Sequence, residues 1–349
     1  MHENRTEGMS RAATAGSLMQ LVTAFRASRA IYAATALGIP DLLADCSMSG
    51  AELAAATNTH VLSIRRLMRA LTALGVFEER TTDLFSLAGM GTLLRSDVPG
   101  SLRAPVLFLA GDTGWRVWEE LLFSIRTGDA ALEHVLGMQT FDYWASHPEE
   151  CAIHDQAMAA GSASVARAVL AAYDFSRFHV AVDVGGGTGL LLSEILAAHG
   201  HLRGILFDLP HVVANADEVL NRKGVAGRCQ IQGGSFFESI PKGGDAYLLK
   251  HIVHDWDDPR ATAILAGCRN AMASSSTLVV VDHVLPGRAE EGQSLSGFLT
   301  DLEMLVRTPG GRERTEEEFC SLFAAAGFEL QRVVSTASPL SIVEGRPQP

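Results

Sequence analysis

The sequence predicts an α/β fold: a Rossmann-like doubly wound sheet with an antiparallel last strand, preceded by a mainly helical winged-helix dimerisation domain. Three observations carry this reading. Residues 180–192 run from a β-branched strand (Val180, Val182, Val184) through a glycine turn into the start of an apolar helix. After them, short apolar runs alternate with helical patterns, as in a parallel α/β domain. Before them, residues 49–87 read as helix, turn, helix and hairpin.

The elements follow in chain order. Residues 1–15 read as a flexible tail, polar and charged, with no apolar signal core. Residues 16–36 carry apolar side chains at helical spacing (Leu18, Leu21, Val22, Phe25, Ile31), with few polar ones between. That helix is expected to be buried on more than one side, which implies a partner, most simply a second copy of the chain. In the winged-helix module the second helix, 61–74, is expected to turn Leu62, Leu67, Leu71 and Leu74 inward. The first domain is thus set at 16–100. Residues 101–174 form a helical linker rich in aromatics (Phe108, Trp115, Trp118, Phe123, Phe141, Tyr143, Trp144), closed by a helix over 154–173. They are expected to supply both core and the wall of a pocket for a flat substrate. The α/β domain spans 175–349, with strands at 203–207, 228–232, 245–250 and 277–285. Its helices are expected at 189–199, 211–222, 258–273 and 315–326, a further helix or lid within 292–308, and a closing antiparallel pair at 328–335 and 340–345.

The glycine turn selects its ligand. A dinucleotide motif needs G-x-G-x-x-G, and the third position here is Leu190. The glycines instead run Gly185, Gly187, Gly189, directly after Asp183. An acid there repels a pyrophosphate and suits an ammonium or sulfonium. Asp208 follows Gly189 by nineteen residues at the end of an apolar run, where an acid reaches ribose hydroxyls. A cationic nucleoside with a ribose and no phosphate is S-adenosylmethionine, with S-adenosylhomocysteine as its product.

Residues 247–258 end the strand before the next helix and offer His251, His254, Asp255, Asp257 and Asp258 beside Trp256. Carboxyl ends of strands face the same crevice as the glycine turn. A histidine of ordinary pKa, about 6.5, is largely neutral at pH 7 and can take a proton from a phenol. The rival readings are a metal site at His251 and His254, a buried structural histidine, and a helix cap at Asp257. With no third ligand cluster at familiar spacing, no metal is expected.

Four segments together carry a resemblance: Asp183-Val184-Gly185-Gly186-Gly187-Thr188-Gly189, Phe207-Asp208-Leu209-Pro210, Lys250 to Trp256, and Pro309 to Thr315. Their order and spacing resemble the S-adenosylmethionine-dependent O-methyltransferases of the caffeic acid and hydroxyindole type, most of all bacterial members that tailor antibiotics and aromatic polyketides. The resemblance spans about residues 16–345. It implies methylation of a phenolic or enolic hydroxyl, a methyltransferase sheet and a homodimer. It further implies that Asp183, Gly185, Gly187, Asp208, Leu209, Ser235, Phe236, Lys250, Trp256, Ser162 and Arg167 hold the cofactor. His254 matches the general base, and Asp282 with Glu313 would orient its ring. Phe141, Trp144, Met158, His251, Asp255, Met304 and Leu305 would shape a pocket for a small aromatic substrate. Two departures stand out. Ser235 replaces an aspartate that reads the adenine amino group, and Asp282 replaces a glutamate one methylene longer.

Composition limits the alternatives. The net charge of −12 argues against nucleic-acid coating and against an anionic membrane surface. Residues 1–100 hold nine basic and nine acidic side chains, so Arg65, Arg66 and Arg69 do not make a phosphate-collecting face. Five scattered cysteines fit free thiols in a reducing cytoplasm. The alternative within the same fold is a relative that uses the cofactor structurally for hydroxylation, decarboxylation or cyclisation. The alternative outside it is a winged-helix regulator.

Overall fold

A computed structural model describes residues 14–138, 143–144, 146–290 and 293–349. The chain divides into two compact units, one formed by residues up to Trp115 with His147–Ala160, the other by Arg116–Ser146 with Gly161–Pro349.

In the first unit, the helices Gly50–Thr57 and Val61–Ala73 precede a small sheet of β1 (Met48–Ser49), β2 (Phe77–Thr81) and β3 (Leu84–Leu87), in the order β1-β3-β2. Ser49 and Glu52 form a reciprocal capping box that starts the first helix. Asn58 ends that helix in the left-handed conformation. The second helix buries Ile64, Met68 and Leu71, while Leu62 and Leu74 are exposed. The expected face is therefore rotated, because a β-branched and a thioether residue fill the stripe that leucines alone suggested. Arg65 is forked onto Asp83 at 2.7 and 2.5 Å and braces the wing. Leu18, Leu21, Val22 and Phe25 of the leading helical segment are exposed in the single chain, so the expected burial is left to a partner.

The second unit is built on a seven-stranded sheet: β4 (Val180–Val184), β5 (Arg203–Asp208), β6 (Cys229–Gly233), β7 (Ala246–Lys250), β8 (Thr277–Asp282), β11 (Phe328–Ser335) and β12 (Ser341–Pro347). Its order is β11-β12-β8-β7-β4-β5-β6. Strands β4 to β8 pair in parallel, and the last strand, β12, runs antiparallel to β8 and β11. Consecutive strands β4 and β5 lie on one side of the switch point and β7 on the other, so a crevice opens between the carboxyl ends of β4 and β7. Successive residues alternate between two apolar layers: Leu206, Leu248 and Val279 on one face, Phe207, Leu249 and Val280 on the other. Burial on both faces explains why these strands read as continuous apolar runs.

Three expected boundaries shift. The strand expected at 277–285 ends at Asp282, and Val284–Leu285 (β9) pairs in parallel with Arg314–Thr315 (β10) instead. The helix expected at 211–222 is two helices, Pro210–Val213 and Ala216–Arg222. The helix expected at 154–173 starts earlier and runs Pro148–Ala172, since proline is favoured at the first helical position. Helix Leu295–Arg307 falls within the expected lid, and its Val306 packs with Val117, Leu132, Trp118 and Phe123. Among the described residues no helix is long and apolar enough to cross a membrane.

Candidate active site

The glycine corner is a cradle. Gly185, Gly187 and Gly189 all take positive φ, at 70°, 61° and 78°. A β-carbon at Gly187 would meet nothing within 4 Å, so this backbone faces open space that a ligand can approach. The Gly187 and Leu209 N–H groups donate to the two carboxylate oxygens of Asp208 at 2.8 and 2.7 Å. These bonds fix the carboxylate and leave each oxygen a lone pair for a ribose hydroxyl. Asp183 is buried, with one oxygen lacking a partner among the described residues. Burial pushes its pKa up to about 7, opposed by Lys250. Burial likewise lowers Lys250, which faces Asp183, Asp282 and Asp255. An orphaned acid beneath a glycine cradle fits a cationic group and does not fit a phosphate. Phe236 stands edge-on to Trp256 with ring centroids 6.2 Å apart, and among the described residues the Trp256 indole N–H has no partner. Ser235 closes the turn before them, its hydroxyl accepting the Phe237 N–H at 3.3 Å.

The second corner holds the histidines. His254 lies on a 3₁₀ turn, Val253–Asp255, directly after β7. Its Nδ1 is 2.7 Å from Glu313 Oε1, both side chains being buried. Its Nε2 is 3.5 Å from Asp255 Oδ1. Burial disfavours the imidazolium, but Asp255, Asp282 and Glu313 outweigh it and raise the pKa to about 10. The neighbouring acids thus make the ring more basic than the ordinary histidine from which the sequence reading started. Asp282 does not bond His254. Its Oδ1 accepts the His251 backbone N–H at 2.9 Å, its other oxygen has no partner among the described residues, and burial raises its pKa to about 7. The shorter acid stops at the neighbouring main chain, and Glu313 makes the hydrogen bond to the ring.

Three residues hold this corner in ways the sequence did not announce. Arg314 is fully buried and forks onto the carbonyls of Val253 and Trp256, each at 2.9 Å, and onto Asp258 at 2.8 Å. Arg312 donates its N–H to the His254 carbonyl at 2.8 Å. Asp301 accepts the Glu313 N–H at 2.8 Å. Arg312 and Arg314 stand inside the quoted motif, but nothing in a linear sequence names their partners. Asp301 had no signal at all.

The remaining candidates divide. Met304 is buried and Leu305 half-buried on the helix that carries Asp301. Ser162 is buried on Pro148–Ala172. Arg167, five residues on, lies about 140° further round that helix and is exposed, so it does not join the buried cluster. Met158 belongs to the other unit and is 49% exposed. Trp144 is half-buried against Tyr143. Phe141 lies outside the described residues. Among the described residues no group of three histidine, cysteine or acidic side chains is arranged to hold a metal ion.

Switch-point crevice, glycine cradle and a carboxylate-paired histidine define an S-adenosylmethionine-dependent methyltransferase. The chain belongs to the O-methyltransferase family: residues 118–329 match its O-methyltransferase domain and residues 19–97 its dimerisation domain. It is 43% identical over 330 residues to a phenazine O-methyltransferase of Lysobacter antibioticus, covering 95% of each chain. It is 38% identical to a mitomycin biosynthesis 6-O-methyltransferase of Streptomyces lavendulae, covering 91% of this chain and 90% of that one. Among solved structures it is similar to a methyltransferase of calicheamicin biosynthesis in its S-adenosylhomocysteine-bound form. The TM-score there is 0.83 at 33% identity, with 97% and 99% of the chains covered. Relatives also include N-methyltransferases acting on 8-amino-8-demethylriboflavin and phenazine-1-carboxylate.

Proposed function

We propose that this enzyme methylates a phenolic or enolic hydroxyl of an aromatic natural product, a polyketide or antibiotic intermediate, with His254 as general base. The observation that carries the reading is the buried 2.7 Å contact between His254 Nδ1 and Glu313. A carboxylate on one ring nitrogen fixes the tautomer and leaves Nε2 to face the acceptor oxygen. A base raised to about 10 is matched to a phenol of pKa about 10, so the proton transfer is near balance. Holding oxygen and methyl donor in line supplies much of the remaining rate. The same contact stands against the non-methylating alternative, which needs no such base.

In this reading Asp208 and Leu209 take the ribose, and Gly185 and Gly187 let the backbone approach. Ser235, Phe236 and Trp256 frame the adenine, with Lys250 beside it. Asp183 and Ser162 face the methionine end, with Arg167 a weaker candidate for its carboxylate. S-adenosylmethionine supplies the activated methyl group, and no metal is required. Trp144, Asp255, Met304 and Leu305 contribute to the substrate pocket. Two copies would cover the exposed Leu18, Leu21, Val22 and Phe25, which the dimerisation-domain match supports.

The test is transfer of label from S-adenosylmethionine to a panel of hydroxylated aromatics by wild type and His254→Ala. Loss of about 10²–10⁴-fold in turnover, with S-adenosylhomocysteine still bound, is expected. A variant as active as wild type would sink the assignment of the base.

A further inference from the structure

Beside the base lies a second imidazole that the mechanism so far leaves idle. His251 has φ +56°, in the left-handed region that residues with a β-carbon rarely adopt. Its N–H is held there by Asp282 Oδ1 at 2.9 Å and by the Val281 carbonyl at 3.2 Å. The strained backbone aims the side chain, whose ring stacks on that of His254 with centroids 5.0 Å apart and planes 16° from parallel. Strain of this kind persists where the surroundings over-determine it, and it clusters at functional sites. Among the described residues neither ring nitrogen of His251 has a hydrogen-bond partner. Burial, with Lys250, His254 and His283 nearby, holds its pKa well below the ordinary value, so the ring is neutral at pH 7. A neutral imidazole has one donor and one acceptor nitrogen.

We infer that His251 reads a second heteroatom of the acceptor, one on the ring position ortho or peri to the hydroxyl that His254 serves. The inference rests on the methyl-acceptor reading above. Two stacked imidazoles, each with a hydrogen-bond reach of about 2.8 Å, converge on two adjacent heteroatoms of one flat molecule. The preferred substrate class is therefore a vicinal diol, a peri-hydroxy carbonyl or a hydroxyl beside a ring nitrogen. A lone phenol leaves a desolvated His251 nitrogen unpaired, and a site built around a polar group discriminates strongly against the analogue that lacks it.

Matched acceptors test this: 2,3-dihydroxynaphthalene against 2-naphthol, or the equivalent pair on whichever ring the panel shows to be accepted. Wild type is expected to favour the vicinal acceptor by at least about tenfold in kcat/KM. His251→Phe keeps a flat ring in the stack and removes both nitrogens. It is expected to slow both acceptors but to collapse their ratio by about tenfold, while His251→Asn, which returns a donor and an acceptor, recovers part of the ratio. S-adenosylhomocysteine binding checks that each variant is folded. Absence of a preference in wild type, or an equal loss on both acceptors in His251→Phe, overturns the inference and leaves His254 as base. If no hydroxylated acceptor turns over in wild type, the methyl-acceptor reading itself fails, a result distinct from a wrong ratio.

Discussion

The glycine corner and the base corner sit at the carboxyl ends of neighbouring strands, β4 and β7, and are built on opposite plans. The first is local. Gly185–Gly189 and Asp208 lie on adjacent strands, and backbone N–H groups satisfy the Asp208 carboxylate. The second is assembled from distant segments: His254 meets Glu313 fifty-nine residues on, Arg314 reaches back to Val253 and Trp256, and Asp301 holds Glu313. Its charges are buried and answer one another. Single changes in the first corner should adjust an affinity, whereas single changes in the second should disable a unit, because coupled buried groups do not act additively.

The largest effect is expected at Glu313. Glu313→Gln keeps the volume and removes the charge that fixes the His254 tautomer, so kcat should fall about 10²–10³-fold with little change in S-adenosylhomocysteine affinity. The sign on the pH axis follows from the raised pKa. In wild type the competent neutral ring is gained as pH rises toward about 10. Without the carboxylate, the rising limb of kcat/KM should move at least one pH unit toward acid. Stability follows the same linkage. A raised histidine pKa contributes stability fully present below about 6.5 and lost as pH rises through about 10, so the melting temperatures of the two proteins should converge at high pH. A limb that stays in place would show that Asp255 and Asp282, not Glu313, set the base.

The two plans also explain what the sequence disclosed. The cofactor corner was readable almost whole, because glycines with positive φ and an acid at the end of the next strand are local signals. The base was readable as a motif. Its bracing was not: Arg314 is one arginine in a charged run until the fold buries it. Asp282 could be placed at a strand end, but which atom it meets depends on the register of β8 against β7, and that put the His251 main chain in front of it. In the first unit the rotated face of Val61–Ala73 shows that leucines alone do not define a buried stripe.

Arg314 offers an intermediate effect. Lysine is a point charge and cannot fork onto two carbonyls and Asp258 at once. Arg314→Lys should lower kcat about 10–10²-fold and leave the pH limb where it is, since the Glu313 contact survives. That split separates bracing of the turn from tuning of the ring. Arg314→Met should also cost about 3–5 kcal/mol in chemical denaturation, because Asp258 and two carbonyls lose their partner. Wild-type kcat in Arg314→Lys would mean that the turn holds itself.

The smallest effect tests whether the cofactor corner is as modular as its construction implies. Ser235 occupies the first position of a tight turn, its carbonyl taking the Glu238 and Ser239 N–H groups at 3.0 and 3.1 Å. An aspartate keeps these carbonyl bonds and can still accept the Phe237 N–H that the hydroxyl takes, so the exchange need not refold the turn. A charged acceptor makes a hydrogen bond roughly twice as strong as a neutral one, so Ser235→Asp should tighten S-adenosylhomocysteine by about fivefold and leave kcat at saturation unchanged. Nearby Asp208, whose carbonyl accepts the Gly234 N–H at 2.9 Å, opposes it as a like charge, which sets the gain below that of an isolated bond. Titration calorimetry with S-adenosylhomocysteine and its deaminated inosine analogue isolates the contact. The gain should appear only where the ring carries an amino group, and an equal change for both ligands would place Ser235 away from the base edge.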